Sequence, residues 1–526
     1  MDAKLVSDEV RPFLIDGALG LWEIADVQPD RVALIDVDGN KMSYGELREW
    51  TDAISAELLR QGLTAGDTIA TVIGNMPAAV AIQLATSQLG IYYTPVNWHL
   101  TAPEIEYILG DSEAKMLFVS SEYADTATAA ADAVGLPMDK RFAVGALPGY
   151  RDIAEIPDAG PVDSSVRRLG QRMLYTSGTT GRPKGVRKPT VDTTPELALA
   201  ASIPPLTRRM SWPAGPGVHL CVAPLYHAAP NGFGLNALQL GQTLVLMHKW
   251  TPEDCLRLIE RYQVTATHMV PTMFHRLLAL PDEVRDKYDH SSLNYVVHAA
   301  APCPVHEKQA MIDWWGPVIY EYYASTEGGG TSVRPEAWLQ HPGTVGRGWD
   351  DGVEVEIHDE QGNLLPAGEI GTVYIRSGET FSYYKDPDKT AAAWRGDVFT
   401  MGDMGYLDED GWLFLADRRS DMILSGGVNI YPAEIESVLL EHPAVEDAGV
   451  VGLPDPDWGN RVHAVVQPVA SVTGDDALAK EILDHCNGKL AAYKRPRTLE
   501  FRELPRTATG KLSHSALRKT LLDELS

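Results

Sequence analysis

The stretch that decides the fold is Tyr175-Thr-Ser-Gly-Thr-Thr-Gly-Arg-Pro-Lys-Gly185. An apolar run, Met173–Tyr175, leads into small, hydroxylated and glycine residues, and Arg182 and Lys184 follow. Glycines let backbone N–H groups approach an anion closely, hydroxyl groups add donors, and the two cations neutralise charge. No Gly-Lys-Ser/Thr follows at the spacing of the common phosphate-binding loop. The sequence therefore predicts a strand that ends in a phosphate-binding loop of another kind.

Beyond this loop, short apolar runs alternate with helical patterns. The strand-like runs are Leu220–Ala223, Thr243–Met247, Thr267–Val270, Tyr295–Val297 and Val318–Tyr322. Between two of these runs a helix is predicted to begin at Pro252, with Cys255 and Ile259 on its apolar face. Strands that alternate with helices imply α/β layers around a largely parallel sheet.

Before the loop, residues 32–43 predict a hairpin that turns at Asp38-Gly39. Ser43 and Glu46 have the spacing of a capping box, which predicts a helix start. The longest apolar stretch, Met76–Val96, is interrupted by polar residues. We therefore predict a buried helix that runs into a strand there, and not a membrane span.

From about residue 353 the pattern changes to hairpins, which pair 353–363 with 369–377 and turn again at Asp410-Gly411. After residue 421 a helix is predicted from Pro432, followed by strands and a further helix. The fold class is therefore α/β, with a large N-terminal domain of layered α/β sheets plus a β-rich subdomain over 1–419. A small α+β C-terminal domain is expected over 420–526.

Charge and cysteine content exclude several functions for this chain of 526 residues. Its 45 Lys and Arg against 72 Asp and Glu give a net charge of −27. A surface this acidic disfavours nucleic acid and anionic lipid as partners. The four cysteines form no Cys-x-x-Cys pair, and the N-terminus carries no apolar signal segment. We expect a cytoplasmic protein without nucleic-acid or integral membrane contact, as a monomer or homodimer.

The loop at 175–185 resembles the signature of the AMP-forming adenylate superfamily, which includes acyl-CoA synthetases, adenylation domains of peptide synthetases and luciferases. Further motifs follow in that superfamily's order between about residues 30 and 515. The resemblance implies that the loop binds the phosphates of ATP through Thr176, Ser177, Gly178, Thr179, Thr180 and Lys184.

Two further segments resemble the superfamily's adenine-binding motifs. His298–Pro302 resembles the small-residue stretch that packs on adenine, which implies contacts from Ala300, Ala301 and Pro302, although the family often has glycine where this chain has Ala299. Tyr323–Glu327 resembles Tyr-Gly-x-Thr-Glu. By this resemblance Tyr323 stacks on adenine, Thr326 binds the α-phosphate and acts in catalysis, and Glu327 binds Mg²⁺, a cation that prefers oxygen ligands.

The remaining motifs resemble the ribose site, the hinge and the catalytic lysine of the superfamily. Asp403 is implied to bind the ribose hydroxyls, and Arg418 to contact ribose and phosphate. Ser420 stands where the family usually has Asp or Lys as the pivot of a mobile C-terminal domain. Lys511 corresponds to the adenylation lysine. An ammonium there stabilises the charge that builds when a carboxylate attacks an anionic phosphate.

The acyl and CoA sites follow from the same resemblance. The pocket for the acid is expected at His227, Asn231, Gly232, Ala299 and Gly328, and contacts to CoA at Gly427, Lys494 and Arg495. The glycines near the pocket either leave room for a bulky acid or serve tight turns. Residues 489–511 hold seven cations against two acids. This stretch is either a landing site for anionic CoA or a solvated face.

The sequence thus predicts an ATP-dependent acyl-CoA ligase that requires Mg²⁺. It would activate a medium-chain, aromatic or bulky alicyclic carboxylic acid as acyl-AMP, and then transfer the acyl group to CoA. An amide bond synthetase and a carrier-protein loading ligase share the first step and remain alternatives. A nucleotide-binding module without chemistry is the third, but it would not need Lys511, Glu327 and Asp403 together.

Overall fold

The computed structural model describes residues 7–176, 183–348, 352–378, 380–418, 421–425, 428–456, 458–470, 472–487, 489–506 and 512–525. Within these ranges the helices α1 to α16 are, in chain order, Gly20–Val27, Tyr44–Arg60, Pro77–Gln88, Ala102–Asp111, Ala124–Ala133, Pro195–Met210, Ala228–Gln239, Pro252–Tyr262, Pro271–Leu278, Asp282–Arg285, Val305–Trp315, Pro335–Gln340, Pro387–Ala393, Pro432–Leu440, Asp476–His485 and His514–Leu525.

The strands of the same ranges form five sheets. In chain order, β1 to β27 are Val32–Ile35, Lys41–Ser43, Thr68–Val72, Tyr92–Pro95, Met116–Ser120, Arg141–Val144, Arg151–Asp152, Gln171–Thr176, Lys184–Arg187, Val218–Cys221, Thr243–Leu246, Ala266–Met269, Tyr295–His298, Ile319–Tyr323, Thr331–Val333, Arg347–Gly348, Glu354–His358, Gly371–Arg376, Ser382–Tyr383, Trp394–Arg395, Val398–Leu407, Leu413–Arg418, Ile423–Ser425, Val428–Ile430, Val445–Asp455, Gly459–Pro468 and Thr498–Phe501.

Two large sheets organise the N-terminal domain. In the described residues the first has nine strands in the order β16-β15-β14-β13-β12-β10-β11-β1-β2, and the second has eight in the order β19-β9-β8-β4-β3-β5-β6-β7. The strands from β14 to β1 pair in parallel, as do those from β8 to β7. The predicted α/β fold class is confirmed. Parallel strands bring their carboxyl ends to one edge, where α/β proteins bind ligands.

Helices α2 and α3 lie between the two large sheets. Leu34 and Leu244 of the nine-stranded sheet share one apolar core with Ile69 and Phe118 of the eight-stranded sheet and with both helices. Helix α3 and strand β4 together occupy most of the apolar stretch Met76–Val96, and their residues are almost all buried. That stretch is therefore part of the core, as the polar interruptions predict. No helix in the described part of the chain is long and apolar enough to cross a membrane.

Local sequence signals account for the start of the chain. Strands β1 and β2 form the predicted hairpin, antiparallel with Ile35 opposite Lys41. The capping box is present at the start of α2, because Ser43 Oγ accepts from the backbone N–H of Glu46 at 3.2 Å and Glu46 Oε2 accepts from that of Ser43 at 2.7 Å. These bonds satisfy two N–H groups that the first helical turn leaves without partners.

A smaller antiparallel sheet follows, with the order β17-β18-β21-β20 and with β22 beside β21. The two predicted hairpins, β17–β18 and β21–β22, are both present. This sheet carries Asp403 in the middle of β21, which is how a β-rich segment comes to contribute to a site at the edge of an α/β sheet.

The C-terminal residues form their own small core around β25, β26 and β27. Helices α14 and α15 pack on one apolar cluster, and α16 packs on a second one. The sequence patterns predict neither the short hairpin β23–β24 nor α16. Strands of three residues are too short to show an alternating pattern, and α16 buries only Leu517 and Leu521 among many polar residues. The boundary at 419/420 lies outside the described residues and stays a prediction.

Candidate active site

Three sheets contribute to one cluster of polar side chains. Tyr323 is the last residue of β14, and its hydroxyl donates to Asp403 Oδ2 on β21 at 2.6 Å. Asp403 is buried, with 8% of its surface exposed. Two residues that the sequence resemblance assigns to adenine and ribose, 80 positions apart, are therefore in direct contact.

Glu327 and Lys184 both contact the side chain of Tyr383. The hydroxyl of Tyr383 donates to Glu327 Oε1 at 2.9 Å, and Lys184 Nζ lies 4.7 Å from the centre of the Tyr383 ring. Burial, together with the nearby Glu327 carboxylate, raises the pKa of the Tyr383 hydroxyl, so that group remains a donor. The sequence reading missed Tyr383, because it lies on a two-residue strand with no periodic signal.

The carboxylate of Glu327 fits a magnesium ion. Mg²⁺ prefers oxygen ligands and is commonly held by one or two carboxylates together with substrate phosphates. One oxygen of Glu327 is oriented by Tyr383, and the other has no partner among the residues that the structure describes. No group of three or more metal-binding side chains occurs in those residues. The protein share of a magnesium site here would be this one carboxylate.

A tight turn holds Glu327 in place. The backbone N–H of Ser325 donates to the carbonyl of Gly328 at 3.1 Å, and that of Glu327 donates to Ser325 Oγ at 3.1 Å. Gly328 is buried against Phe399, and a Cβ added to it would lie 2.8 Å from that ring. Of the two alternatives for Gly328, this contact favours the tight turn, since the glycine allows the turn to pack on the β-rich sheet, and its place in the acyl pocket stays a prediction.

Gly330 supports the same turn, because an added Cβ would lie 1.9 Å from the carbonyl oxygen of Tyr323. We expect Gly330→Ala to lower the free energy of unfolding by roughly 1–3 kcal/mol, the range for overpacking a tight site. The melting temperature should fall, and affinity for AMP should fall with it because Tyr323 moves. Gly110→Ala in α4 is the matched control, since its Cβ would meet only a Val134 methyl at 3.8 Å. An unchanged melting temperature in Gly330→Ala would contradict this account.

The loop between β13 and α11 contains a strained residue. Ala300 has φ of 76°, in the left-handed region that costs a residue with a Cβ roughly 1–2 kcal/mol. Ala299 beside it is buried, with a backbone that needs no glycine. Ala299 is not among the residues with positive φ, and the strain lies one residue later. Ala300 and Pro302 are exposed and Ala301 is half-buried, at the carboxyl end of β13.

His227 lies at the start of α7 in a mostly apolar setting. Its ring packs 4.1 Å from that of Tyr226, and its buried Nε2 has no hydrogen-bond partner in the described residues. Burial, with a smaller contribution from His99, lowers the pKa of His227 to about 4. The ring is therefore neutral near pH 7 and offers a polar edge without charge.

Asn231 requires a correction. It is buried, with 1% of its surface exposed. Its Nδ2 donates to Gln83 Oε1 at 2.5 Å and to the carbonyl of Leu225 at 3.0 Å, while its Oδ1 accepts from Arg172 Nη1 at 2.8 Å. Its amide is therefore occupied by protein partners, and it positions Arg172 instead of lining the pocket directly. Gly232, half-buried beside it, remains a lining candidate.

Some of the predicted site residues are not described by the structure, or are described only by their strand pairing. Ser177, Gly178, Thr179, Thr180, Ser420, Gly427 and Lys511 lie outside the described residues. For two others the strand pairing is described: Thr176 lies opposite Lys184, and Arg418 lies opposite Asp403. Thr326 is half-buried in the turn before Glu327.

The basic stretch at 489–506 is largely neutralised inside its own domain. Lys494 Nζ donates to both oxygens of Glu434 at 2.7 Å, and Arg495 donates to the carbonyl of Leu490 at 2.9 Å. Ion pairs also hold Lys489, Arg502 and Arg506. The charge of Lys494 is therefore paired within the domain, whereas Arg495 is held by neutral acceptors, and a contact of either residue with CoA stays a prediction.

Arg497 differs from Lys494 in having no acidic partner among the described residues, and from Arg495 in lying against an aromatic ring. Its guanidinium lies 4.5 Å from the ring centre of Trp458, which is 42% exposed. No carboxylate among the described residues pairs with it, and the side chain is exposed. Arg497 belongs to the basic stretch that is visible in the sequence, whereas no sequence signal points to Trp458, which lies at the turn between β25 and β26.

Comparison with known proteins identifies the family. Residues 21–385 match the family of AMP-binding enzymes, and residues 434–511 match the AMP-binding enzyme C-terminal domain. The chain is 32% identical to 2-succinylbenzoate–CoA ligase of Bacillus velezensis over 515 residues, which covers 96% of this chain and 98% of that protein.

Solved structures agree with this result. The anthranilate CoA ligase AuaEII, in complex with anthranoyl-AMP, matches with a TM-score of 0.85 and 27% identity over 100% of both chains. The amide bond synthetase McbA from Marinactinospora thermotolerans matches with a TM-score of 0.80 and 28% identity, over 93% of this chain and 97% of McbA.

The chain belongs to the AMP-binding enzymes, the AMP-forming adenylate superfamily that its motifs resemble. The predicted enzyme class, an acid–thiol ligase, is confirmed by the same comparisons.

Proposed function

We propose that this enzyme activates a carboxylic acid with ATP, releases pyrophosphate to form an acyl-adenylate, and transfers the acyl group to CoA. Two contacts carry the proposal: Tyr323 bonds Asp403 on a different sheet, and Glu327, in the turn after Tyr323, shares the ring of Tyr383 with Lys184. These groups match the parts of ATP. One carboxylate suits the ribose, the aromatic ring suits adenine, and the second carboxylate, through a magnesium ion, and the lysine suit the phosphates.

In the first step the reactive carboxylate must approach the α-phosphate. Both are anions, so the approach needs positive charge and donors directed at the oxygens that gain charge. Thr326 and the loop after β8 bind the phosphate, and Lys511 stabilises the charge between the two anions. When bound, Mg²⁺ neutralises phosphate oxygens, and Glu327 would hold it. Asp403 and Tyr323 orient the nucleotide so that one phosphate face meets the acid.

In the second step the thiol of CoA attacks the carbonyl of the adenylate, and AMP leaves. CoA as acceptor is supported by relatives such as 2-succinylbenzoate–CoA ligase and the anthranilate CoA ligase. The amide bond synthetase McbA is of similar fold, so an amine acceptor remains the second candidate. Trp458 and Arg497 favour CoA, because an exposed ring beside a guanidinium without a carboxylate suits a nucleotide that carries phosphate.

Arg497→Glu tests the acceptor. We expect the KM for CoA to rise several-fold to about tenfold, because exposed charges contribute roughly 0.2–1 kcal/mol each and the substitution reverses one. The KM values for ATP and acid in pyrophosphate release should stay unchanged. Lys519→Glu makes the same charge change on an exposed position of α16 and is the control. A CoA KM that rises equally in both variants, or in neither, would remove Arg497 from the CoA site.

Product analysis tests the function itself. Purified enzyme with MgATP, CoA and a panel of mono- and dicarboxylic acids of graded length and ring content should release pyrophosphate only when an acid is present. Mass spectrometry should detect the acyl-CoA thioester. Acid-dependent pyrophosphate release that gives product only with added amines would favour the amide bond synthetase. No acid-dependent pyrophosphate release with any acid would refute the proposal.

A further inference from the structure

Arg172 is a half-buried charged residue that pairs with no charged group in the described part of the chain. It lies on β8, and its Nη1 donates to the carbonyl of Ala228 at 3.1 Å and to Asn231 Oδ1 at 2.8 Å. Both acceptors are neutral, and no carboxylate of the described residues pairs with the guanidinium. Burial lowers the pKa of Arg172, but an arginine remains protonated in proteins. A positive charge is therefore held partly inside the domain with no counter-ion from the residues that the structure describes, which is costly.

The neighbours of Arg172 fix its orientation. The amide of Asn231 is locked by two hydrogen bonds with Gln83, at 2.5 and 2.8 Å, so its oxygen is the atom that faces Arg172. One edge of the guanidinium is thus engaged through Nη1. Its Nε and Nη2 donate to no residue in the described part of the chain. Neither atom is among the buried polar atoms that lack a hydrogen-bond partner, so neither is sealed off from solvent. A second edge, with donors in the planar geometry that suits a carboxylate, is available.

This edge lies beside the start of α7. Arg172, Ala228 and Gly232 are half-buried, as are His227 and Ala229 beside them. A Cβ on Gly232 would lie 3.4 Å from Nη1 and 3.6 Å from Nη2, so glycine keeps the approach to the guanidinium clear. His227, with its unpartnered Nε2, lies on the same turn of chain. Of these residues, His227 and Gly232 are the two that the family resemblance assigns to the acyl pocket.

The position of Arg172 along β8 separates it from the reactive phosphate. Thr176, where the phosphate loop begins, is four residues further along the strand, which corresponds to about 13 Å. One carboxylate cannot reach both places. An anion at Arg172 is therefore a different group from the carboxylate that attacks ATP.

We propose that Arg172 binds a second anionic group of the acid, so that the substrate is a dicarboxylic acid or an acid with a comparable anion at its far end. This proposal rests on the proposed function. It also explains why a guanidinium is kept partly buried in a chain with a net charge of −27, since a doubly negative substrate must overcome repulsion by the protein.

The test compares pairs of acids that differ by one charge. Each linear dicarboxylate from succinate to sebacate is assayed beside its monomethyl ester, which has the same chain and a neutral end. For wild-type enzyme, kcat/KM for thioester formation should favour the best dicarboxylate over its ester by about tenfold to a hundredfold, the scale for one charge-assisted bidentate contact. Arg172→Gln should abolish this preference and leave turnover of the ester within a few-fold. Arg172→Lys should keep part of it.

The possible outcomes distinguish a failure of the role proposed for Arg172 from a failure of the proposed ligase function. A wild type that converts monoesters and dicarboxylates equally well, or an Arg172→Gln variant that keeps the preference, overturns the role of Arg172 and leaves the ligase intact. A lack of thioester from any acid overturns the proposed function instead. If Arg172→Gln fails to fold, the wild-type preference and its partial loss in Arg172→Lys still decide the matter.

Discussion

Replacing Lys511 with alanine is expected to lower acid-dependent pyrophosphate release by about 10²–10³-fold, the scale for losing one contact that stabilises charge in the transition state. Two anions meet in this step, and the ammonium group offsets the repulsion that grows as the carboxylate approaches the phosphate. Single-turnover measurement of pyrophosphate with saturating ATP and acid gives the rate directly.

The second half-reaction supplies the control. Thioester formation from chemically prepared acyl-adenylate and CoA needs no attack on phosphate, so Lys511→Ala should retain most of it. Lys519→Ala, which removes a lysine from the exposed surface of α16, should leave both half-reactions unchanged. An equal loss in both half-reactions of Lys511→Ala would show that the lysine has a structural role and not a role in adenylation.

Replacing Asp403 with alanine should raise the KM for ATP by about 10- to 100-fold. A hydrogen bond to a charged group contributes roughly 1.5–3 kcal/mol, and the buried carboxylate is positioned to accept from ribose hydroxyls. The KM for the acid should change little, because Asp403 belongs to the nucleotide side of the site. Isothermal titration with AMP should show the same loss in affinity.

Tyr323→Phe is the matched control for Asp403. It keeps the ring that would stack on adenine and removes the hydroxyl that donates to Asp403 at 2.6 Å. We expect only a several-fold rise in the KM for ATP, because the Asp403 carboxylate remains and loses only the hydrogen bond that orients it. A larger effect from Tyr323→Phe than from Asp403→Ala would mean that the tyrosine hydroxyl, and not the carboxylate, binds the nucleotide.

Much of the fold is readable from the sequence because its signals are local. The hairpin at Asp38-Gly39, the capping box at Ser43 and the alternation of strands and helices around β10 to β14 each need only a few neighbouring residues. Polar interruptions were enough to assign Met76–Val96 to the core. The short hairpin β23–β24 and the polar helix α16 could not be predicted, because their formation depends on packing against strands distant in sequence.

The candidate site was predictable to the extent that it consists of ordered motifs. Tyr383 was not, since only the fold brings it to Glu327, 56 positions away. Arg172 was hidden for the same reason, because its acceptor Asn231 is 59 positions distant. Glycines were the weakest signal. A glycine such as Gly328 is compatible with a large acyl pocket, but the ring of Phe399 fills the space beside it.

The most direct test of the proposed reaction traces the oxygen atoms of the acid into the products with an isotope label. The best acid from the panel is prepared with both carboxylate oxygens as ¹⁸O, and the nucleotide product is examined by mass spectrometry after thioester formation. If the carboxylate attacks the α-phosphate and the thiol then attacks the carbonyl carbon, AMP leaves with one ¹⁸O atom from the acid. The account predicts AMP carrying a single ¹⁸O. Unlabelled AMP, or ADP in place of AMP, would contradict it.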